Sequence, residues 1–262
     1  MATDSVPEDG ELRLGAVLLP AGRRVVPMGG PGEPVAWVTT EPVPDAGRVW
    51  SALWDAHEQT GLVPVLLTDG EKDEDFFFYG GPADLTALDD LDAAELLAEW
   101  WERKRSSDEE EDSDHRATIR GPFSSQFPGL APREDTPLSM GQLHQVLGSL
   151  PEAPIGLVPT RRAADVLPTV GWCTTDQFQT PLPIAAVLRS WEARYGARLL
   201  TLGPGAQIQL LVERPPRTTE AAQAIAAEHL AFCDECAGQG LRDIPGITAS
   251  LVNAPTWTFW WD

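Results

Sequence analysis

Apolar residues along this chain follow two different rhythms. In "PVAWVTT" (34–40) and "LVPVLLTD" (62–69) they run in short blocks, which predicts two strands. Between them, "DAGRVWSALWDAHEQTG" (45–61) repeats every three to four residues. Val49, Leu53 and Ala56 fall on one face with Trp50 and Trp54 beside them, and Gly61 stands where a helix-ending glycine belongs. Strand, helix, strand is a crossover unit, so a parallel strand pair is expected. "DFFFYG" (75–80) predicts a further strand, and "DLDAAELLAEWWERKR" a helix with Asp92 and Glu95 spaced as a capping box.

The C-terminal half alternates the same two rhythms. "LSMGQLHQVLGSL" (138–150) predicts a short helix, "IGLVPT" (155–160) a strand, and "RRAADVLPTVGW" a short helix ended by Pro168 and Gly171. "PLPIAAVLRSWEARYG" is the clearest helix: Pro183 suits its first turn, Ile184, Val187, Leu188 and Trp191 form one stripe, and Gly196 closes it. "ARLLTLG" and "AQIQLLVE" predict a hairpin across Pro204 and Gly205. A long helix from Thr219 to Cys236, a shorter one from Pro245 to Val252 and a terminal strand complete the chain. That strand, "PTWTFWWD", sends Trp257, Phe259 and Trp261 to one face and Thr256, Thr258 and Trp260 to the other. The first set reads as a core face. Trp260 either packs beneath helices on a second covered face or is exposed as an anchor for a partner.

The expected fold class is therefore α/β or α+β: a mixed β-sheet flanked by helices, with a smaller βαβ-containing N-terminal lobe. The expected organisation is a disordered N-terminus (1–10), an N-terminal lobe (11–105), an acidic and Pro/Gly-rich linker (106–136) and a C-terminal α/β domain (137–262). The linker begins "SSDEEEDSD", a self-repelling block, and continues through "GPFSSQFPGLAPREDTP". A long solvated excursion within one domain, or an acidic tether for a basic partner, would carry the same residues.

Charge narrows the partners. The net charge is −21, and residues 69–114 hold 18 acids against 4 bases. Phosphate backbones and anionic lipids need basic surfaces, so neither nucleic acid nor membrane is an expected partner. The first twenty residues place acids where a signal peptide needs positive charge. A cytoplasmic location follows as the expectation, and three cysteines are too few for a disulfide framework.

Together "VPTRRAADVLPTVGW", "AVLRSWEARYGARLL", "AAEHLAFC" and the closing "FWWD" resemble the bacterial domain-of-unknown-function family numbered 4253, over about residues 150–262. "GRVWSALWDAHEQTGLVPVLL" is similar to the segment that often precedes that domain. The resemblance implies a boundary and no chemistry. Where the family reads "FCPD" this chain reads "FCDEC", which sets Cys236 outside the family pattern.

Few residues suggest chemistry. His229, Cys233 and Cys236 share one helix face at steps of four and three, a spacing that permits zinc with Cys173 or a carboxylate. The same period is that of a core helix, which is the reading adopted. With Thr160 as N-cap, Arg161 and Arg162 would lie in a first turn, where the helix dipole disfavours cations. Asp165, Asp262 alongside "IGLVP", or an external anion would compensate them. Arg189 and Glu192 read as a surface pair at i, i+3. Glu192 and His229 are the weak catalytic candidates, as an acid and base pair if they meet in a cleft with Arg161. The binding candidates are Arg161, Arg162, Asp165, Trp172, Trp260 and Asp262. No G-x-S-x-G, P-loop, H-E-x-x-H or G-x-G-x-x-G motif occurs, and no cofactor is expected. The leading functional expectation is a protein-binding module with an acidic surface and aromatic anchors, engaging a basic protein. By analogy an immunity-like role suits it. The alternative is an enzyme with an Arg/Glu/His cleft.

Overall fold

The computed structural model describes residues 5–27, 32–68, 81–107, 119–123, 126–172, 180–203, 206–233 and 243–261, with the side chains of 104–107 excepted. Eight strands form one sheet in the order β1-β2-β3-β5-β4-β6-β7-β8. They are β1 (Gly10–Leu14), β2 (Val17–Val25), β3 (Ala36–Thr39), β4 (Leu62–Leu67), β5 (Ile155–Pro159), β6 (Ala197–Gly203), β7 (Gln207–Val212) and β8 (Thr256–Phe259). The pair β4–β6 is parallel and every other neighbouring pair is antiparallel, so the sheet is mixed, as the α/β expectation required.

The helices are α1 (Ala46–Thr60), α2 (Ala93–Ser107), α3 (Met140–Gly148), α4 (Val166–Val170), α5 (Pro181–Tyr195), α6 (Thr219–Phe232) and α7 (Ile244–Leu251). Strand alternation divides the core between the two faces. On one face Leu62, Leu66, Ile155, Leu157, Leu200 and Leu211 pack with Trp50 and Leu53 of α1 and Leu147 of α3. On the other, Val63, Val65, Val158, Leu199 and Leu210 pack with α2, α4, α5, α6 and α7. A strand covered on both sides must be apolar at every position, which is why "LVPVLL" is buried throughout. The approach of α3 to α1 depends on Gly47: any Cβ there would collide with the Leu147 carbonyl.

Several expectations change in detail. The crossover from β3 through α1 to β4 keeps the two strands parallel in direction, yet they do not pair, because β5 lies antiparallel between them. Both halves of the chain therefore build the central strands. The hairpin β1–β2 was not foreseen, although Leu12 and Leu14 before Gly15, then Val17 and Leu19, alternate as strands do. Residues just before it are also held, for Trp37 Nε1 donates to the Glu8 carbonyl at 3.2 Å and the Arg24 amide to Asp9 at 2.8 Å. The expected strand at 75–80 lies outside the described residues.

The end of the stretch expected as a linker is bound to the C-terminal half. Tyr195 Oη donates to the Pro132 carbonyl at 2.9 Å, and the Glu134 amide to the Arg194 carbonyl at 3.2 Å. Polar composition concealed this, because on the side of the stretch itself the attachment runs through backbone groups that carry no sequence signature.

The helix expected to reach Cys236 ends at Phe232, with Cys233 extended at its C-cap. Residues 225–232 are buried all round, so α6 is a central helix with no polar face in that stretch. The terminal strand behaves as its alternation predicts. Trp257, Phe259 and Trp261 are buried, Thr258 is exposed and Trp260 is half-buried. Trp191 of α5 stacks on Phe259 with centroids 5.2 Å apart and meets Trp257 edge-on at 5.6 Å, arrangements that add about 0.5–1.5 kcal/mol each beyond area burial.

Candidate functional site

The site begins where β5 ends and β4 begins. Leu62 pairs with Pro159, so the C-terminal turn of α1, which leads into β4, lies beside the residues that leave β5. Gly61, with φ of 72°, donates its amide to the His57 carbonyl and closes α1. After Pro159 the chain bends, the Thr160 amide bonding the Val158 carbonyl at 2.9 Å, and Arg161 and Arg162 follow. These arginines precede the helical residues. Arg162 is the N-cap of a 3₁₀ turn, Ala163–Asp165, that runs into α4, so neither occupies the first-turn position expected for it. Pro168 lies inside α4, and Gly171, with φ of 72°, ends it.

A cleft of about 610 Å³ opens at this junction, lined by His57, Glu58, Leu85, Pro159, Arg161 and Asp165 among others. That volume is typical of small-molecule sites. Leu85 comes from a further 3₁₀ turn, Leu85–Asp90, fixed by the Ala83 amide on the Pro168 carbonyl and by Asp84, which caps the Thr86 amide at 3.0 Å.

The charges around the cleft fall into two groups. Arg189 grips Asp165 with two hydrogen bonds, Nε to Oδ1 at 2.6 Å and a terminal nitrogen to Oδ2 at 2.9 Å, and lies 3.7 Å from Asp89. Asp165 is buried, and its hydrogen bonds raise the Arg189 pKa above its ordinary value. Arg162 pairs with Glu192 at 2.7 Å through both Nε and a terminal nitrogen. The pairings thus differ from those expected: Glu192 serves Arg162 and not Arg189, while Asp165 serves Arg189 and neither neighbouring arginine. Asp262 is outside the described residues. β8 lies at the sheet edge beyond β4, β6 and β7, so the terminal strand does not run beside β5.

Two groups of the lining remain open. Arg161 and Glu58 are exposed, and neither has a hydrogen-bond or ion-pair partner among the described residues. His57 stands between these two kinds. Its ring stacks on Trp54 at 4.0 Å, Trp54 stacks on Trp50 at 5.6 Å, and the Arg198 guanidinium lies 4.8 Å from the Trp54 ring centre. His57 Nδ1 is 2.5 Å from the Trp54 carbonyl oxygen. A carbonyl can only accept, so Nδ1 carries a proton toward it, and Nε2 has no hydrogen-bond partner among the described residues.

Residues 154–262 match the family described as a domain of unknown function, DUF4253. No curated protein and no solved structure matches the chain. The DUF4253 portion starts next to β5 and supplies Pro159, Arg161 and Asp165, whereas His57, Glu58 and Leu85 come from the chain before it. The cleft is thus built from both.

The remaining candidates lie elsewhere. His229 is buried among Trp191, Trp257 and Phe259, with ring centroids 5.1, 4.6 and 4.8 Å away. Burial, and secondarily the Arg194 charge, push its pKa down to about 3. Glu192 follows Trp191 on α5 and therefore points about 100° away from it, toward Arg162. The catalytic pairing of Glu192 with His229 is corrected on that ground. Trp172 is buried edge-on against Trp261 at 5.6 Å, a core contact and not a surface anchor. Cys233 is disulfide-bonded, which withdraws it as a zinc thiolate. Its Sγ lies 3.0 Å from the Trp260 carbonyl oxygen. Cys236 and Cys173 are outside the described residues, and among those described no group of three metal-binding side chains occurs. No described helix is long and apolar enough to cross a membrane.

Sequence reasoning also missed a buried ionic node. Glu228, with no exposed surface, receives hydrogen bonds from the Ala131 amide at 2.6 Å, Trp191 Nε1 at 2.8 Å and both terminal nitrogens of Arg194 at 2.7 and 2.6 Å. An acid in the middle of an Ala-rich helix, next to His229 of the expected core face, was the available signal.

Proposed function

We propose that the chain is a binding protein whose recognition site is the β5–α1 cleft and whose ligand presents an anionic group to Arg161. The observation that carries this is a contrast within one small region. Arg162 and Arg189 are neutralised by internal carboxylates, while Arg161 enters a concave site with no such partner among the described residues. A guanidinium left open in a partly enclosed site is the donor set that selects a carboxylate or phosphate in two-pronged geometry. Leu85 and Pro159 add apolar wall, so an aliphatic carboxylate suits the site better than a bare ion.

The expectation of an acidic surface addressing a basic protein rests mainly on residues 69–80 and 108–114, which are outside the described residues. The cleft offers the more specific recognition chemistry, and the protein-binding reading is retained with the partner contributing an acidic group. The Arg161, Glu192 and His229 constellation on which the enzyme alternative rested is not assembled.

The test is a titration of ¹⁵N-labelled protein with 4-methylpentanoate, a branched carboxylate. Saturable shifts of Gly61 and of the Arg161 Nε–H, absent in Arg161→Gln, are the expected result. Unchanged spectra, or equal shifts in Arg161→Gln, would remove the reading.

A further inference from the structure

The cleft holds an open anion as well as an open cation. Among its charged lining residues Asp165 is taken by Arg189, which leaves Arg161 and Glu58 of opposite sign. The His57 ring is held by its Trp54 contacts, which leaves Nε2 without a hydrogen-bond partner among the described residues. The unsatisfied chemistry is therefore one forked cationic donor on the β5 side and one carboxylate on the α1 side, with Leu85 and Pro159 as apolar lining. A simple anion would meet Arg161 and be repelled by Glu58. A simple amine would meet Glu58 and be repelled by Arg161.

From this we infer that the ligand is a zwitterion of the amino-acid class: its carboxylate lies on Arg161, its ammonium on Glu58, and an aliphatic side chain against Leu85 and Pro159. A free amino acid and a short peptide share this chemistry, and a volume of about 610 Å³ has room for either. The inference rests on the proposed anion site at Arg161 and adds the second charge. Opposite charges on one ligand also give specificity, since any competitor lacking either charge leaves one protein group facing a like charge or no partner.

Calorimetric titration of L-leucine, leucyl-leucine, 4-methylpentanoate and leucinamide into the full chain separates the readings. The first two present both charges, the third lacks the ammonium and the fourth lacks the carboxylate. Leucine or leucyl-leucine is expected to bind at least about tenfold more tightly than either single-charge analogue, and whichever of the two wins identifies the source. Glu58→Gln is expected to erase the advantage over 4-methylpentanoate, and Arg161→Gln to erase the advantage over leucinamide. Both side chains are exposed, so thermal midpoints near the parent's would show that the variants are folded. If 4-methylpentanoate binds as tightly as leucine and Glu58→Gln changes nothing, the zwitterion inference fails and the anion site stands. If none of the four binds the folded parent, both fall.

Discussion

Two polar clusters in this molecule use the same residue types to opposite ends. At the Glu228 node, one carboxylate accepts from Arg194, Trp191 and Ala131, and together these join α6, α5 and the chain segment preceding α3. In the β5–α1 cleft, Arg161 and Glu58 have no protein partner among the described residues. The histidines divide in the same way. His229 is enclosed by three rings and held neutral, whereas His57 is half-buried on a cleft wall with one nitrogen bonded and one available. A charged side chain marks function only when the fold leaves part of its bonding capacity open, and the spacing of charges in sequence does not record that.

The largest effect should come from opening the closed cluster. Glu228→Ala leaves the part-buried Arg194 guanidinium without its carboxylate and a buried indole N–H without its acceptor, so a loss of about 3–5 kcal/mol is expected from urea unfolding. A loss below ~1 kcal/mol would show that the node contributes little to the fold. Next is Gly47→Ala, whose methyl meets the Leu147 carbonyl and should cost about 1–3 kcal/mol through displacement of α3.

His229 sharpens the contrast through pH. Its folded pKa is depressed to about 3 from 6.5, so below pH 6.5 the unfolded chain takes up a proton that the folded chain refuses. Stability contributed by the neutral ring is complete above about pH 6.5 and declines as pH falls toward 3. His229→Leu should flatten that slope in unfolding curves, even where packing changes lower stability overall. An unaltered slope would place the acid sensitivity elsewhere.

In the open cluster the stability effects should nearly vanish. Arg162→Ala breaks a partly exposed ion pair and should cost about 0.2–1 kcal/mol. Arg161→Gln is expected to stay within about 0.5 kcal/mol of the parent, because it removes no internal bond. If Arg161→Gln proved as destabilising as Glu228→Ala, the distinction between the clusters would collapse.

The sequence made the architecture largely readable where period and caps agreed. α5 was legible from Pro183, its apolar stripe and Gly196, and the terminal aromatics from simple alternation, because both signals are local. What could not be read was long-range. Nothing in "IGLVPT" says that it inserts between two strands from the other half of the chain, and nothing in "RSWEARYG" says that Glu192 reaches Arg162 while Arg194 reaches Glu228. Arg161 was recognisable as unusual, but His57 and Glu58 became candidates only once β4 and β5 were seen to pair. Their side chains read as the ordinary polar end of an amphipathic helix.

The most direct test of the central claim is a crystal structure of the protein soaked with L-leucine, read at the β5–α1 junction. The account predicts a carboxylate within about 3 Å of the Arg161 guanidinium, on the same wall as Pro159, with the internal pairs Arg162–Glu192 and Arg189–Asp165 unbroken. Leucine bound elsewhere, or Arg161 found folded back onto an internal carboxylate with the cleft closed, would contradict it.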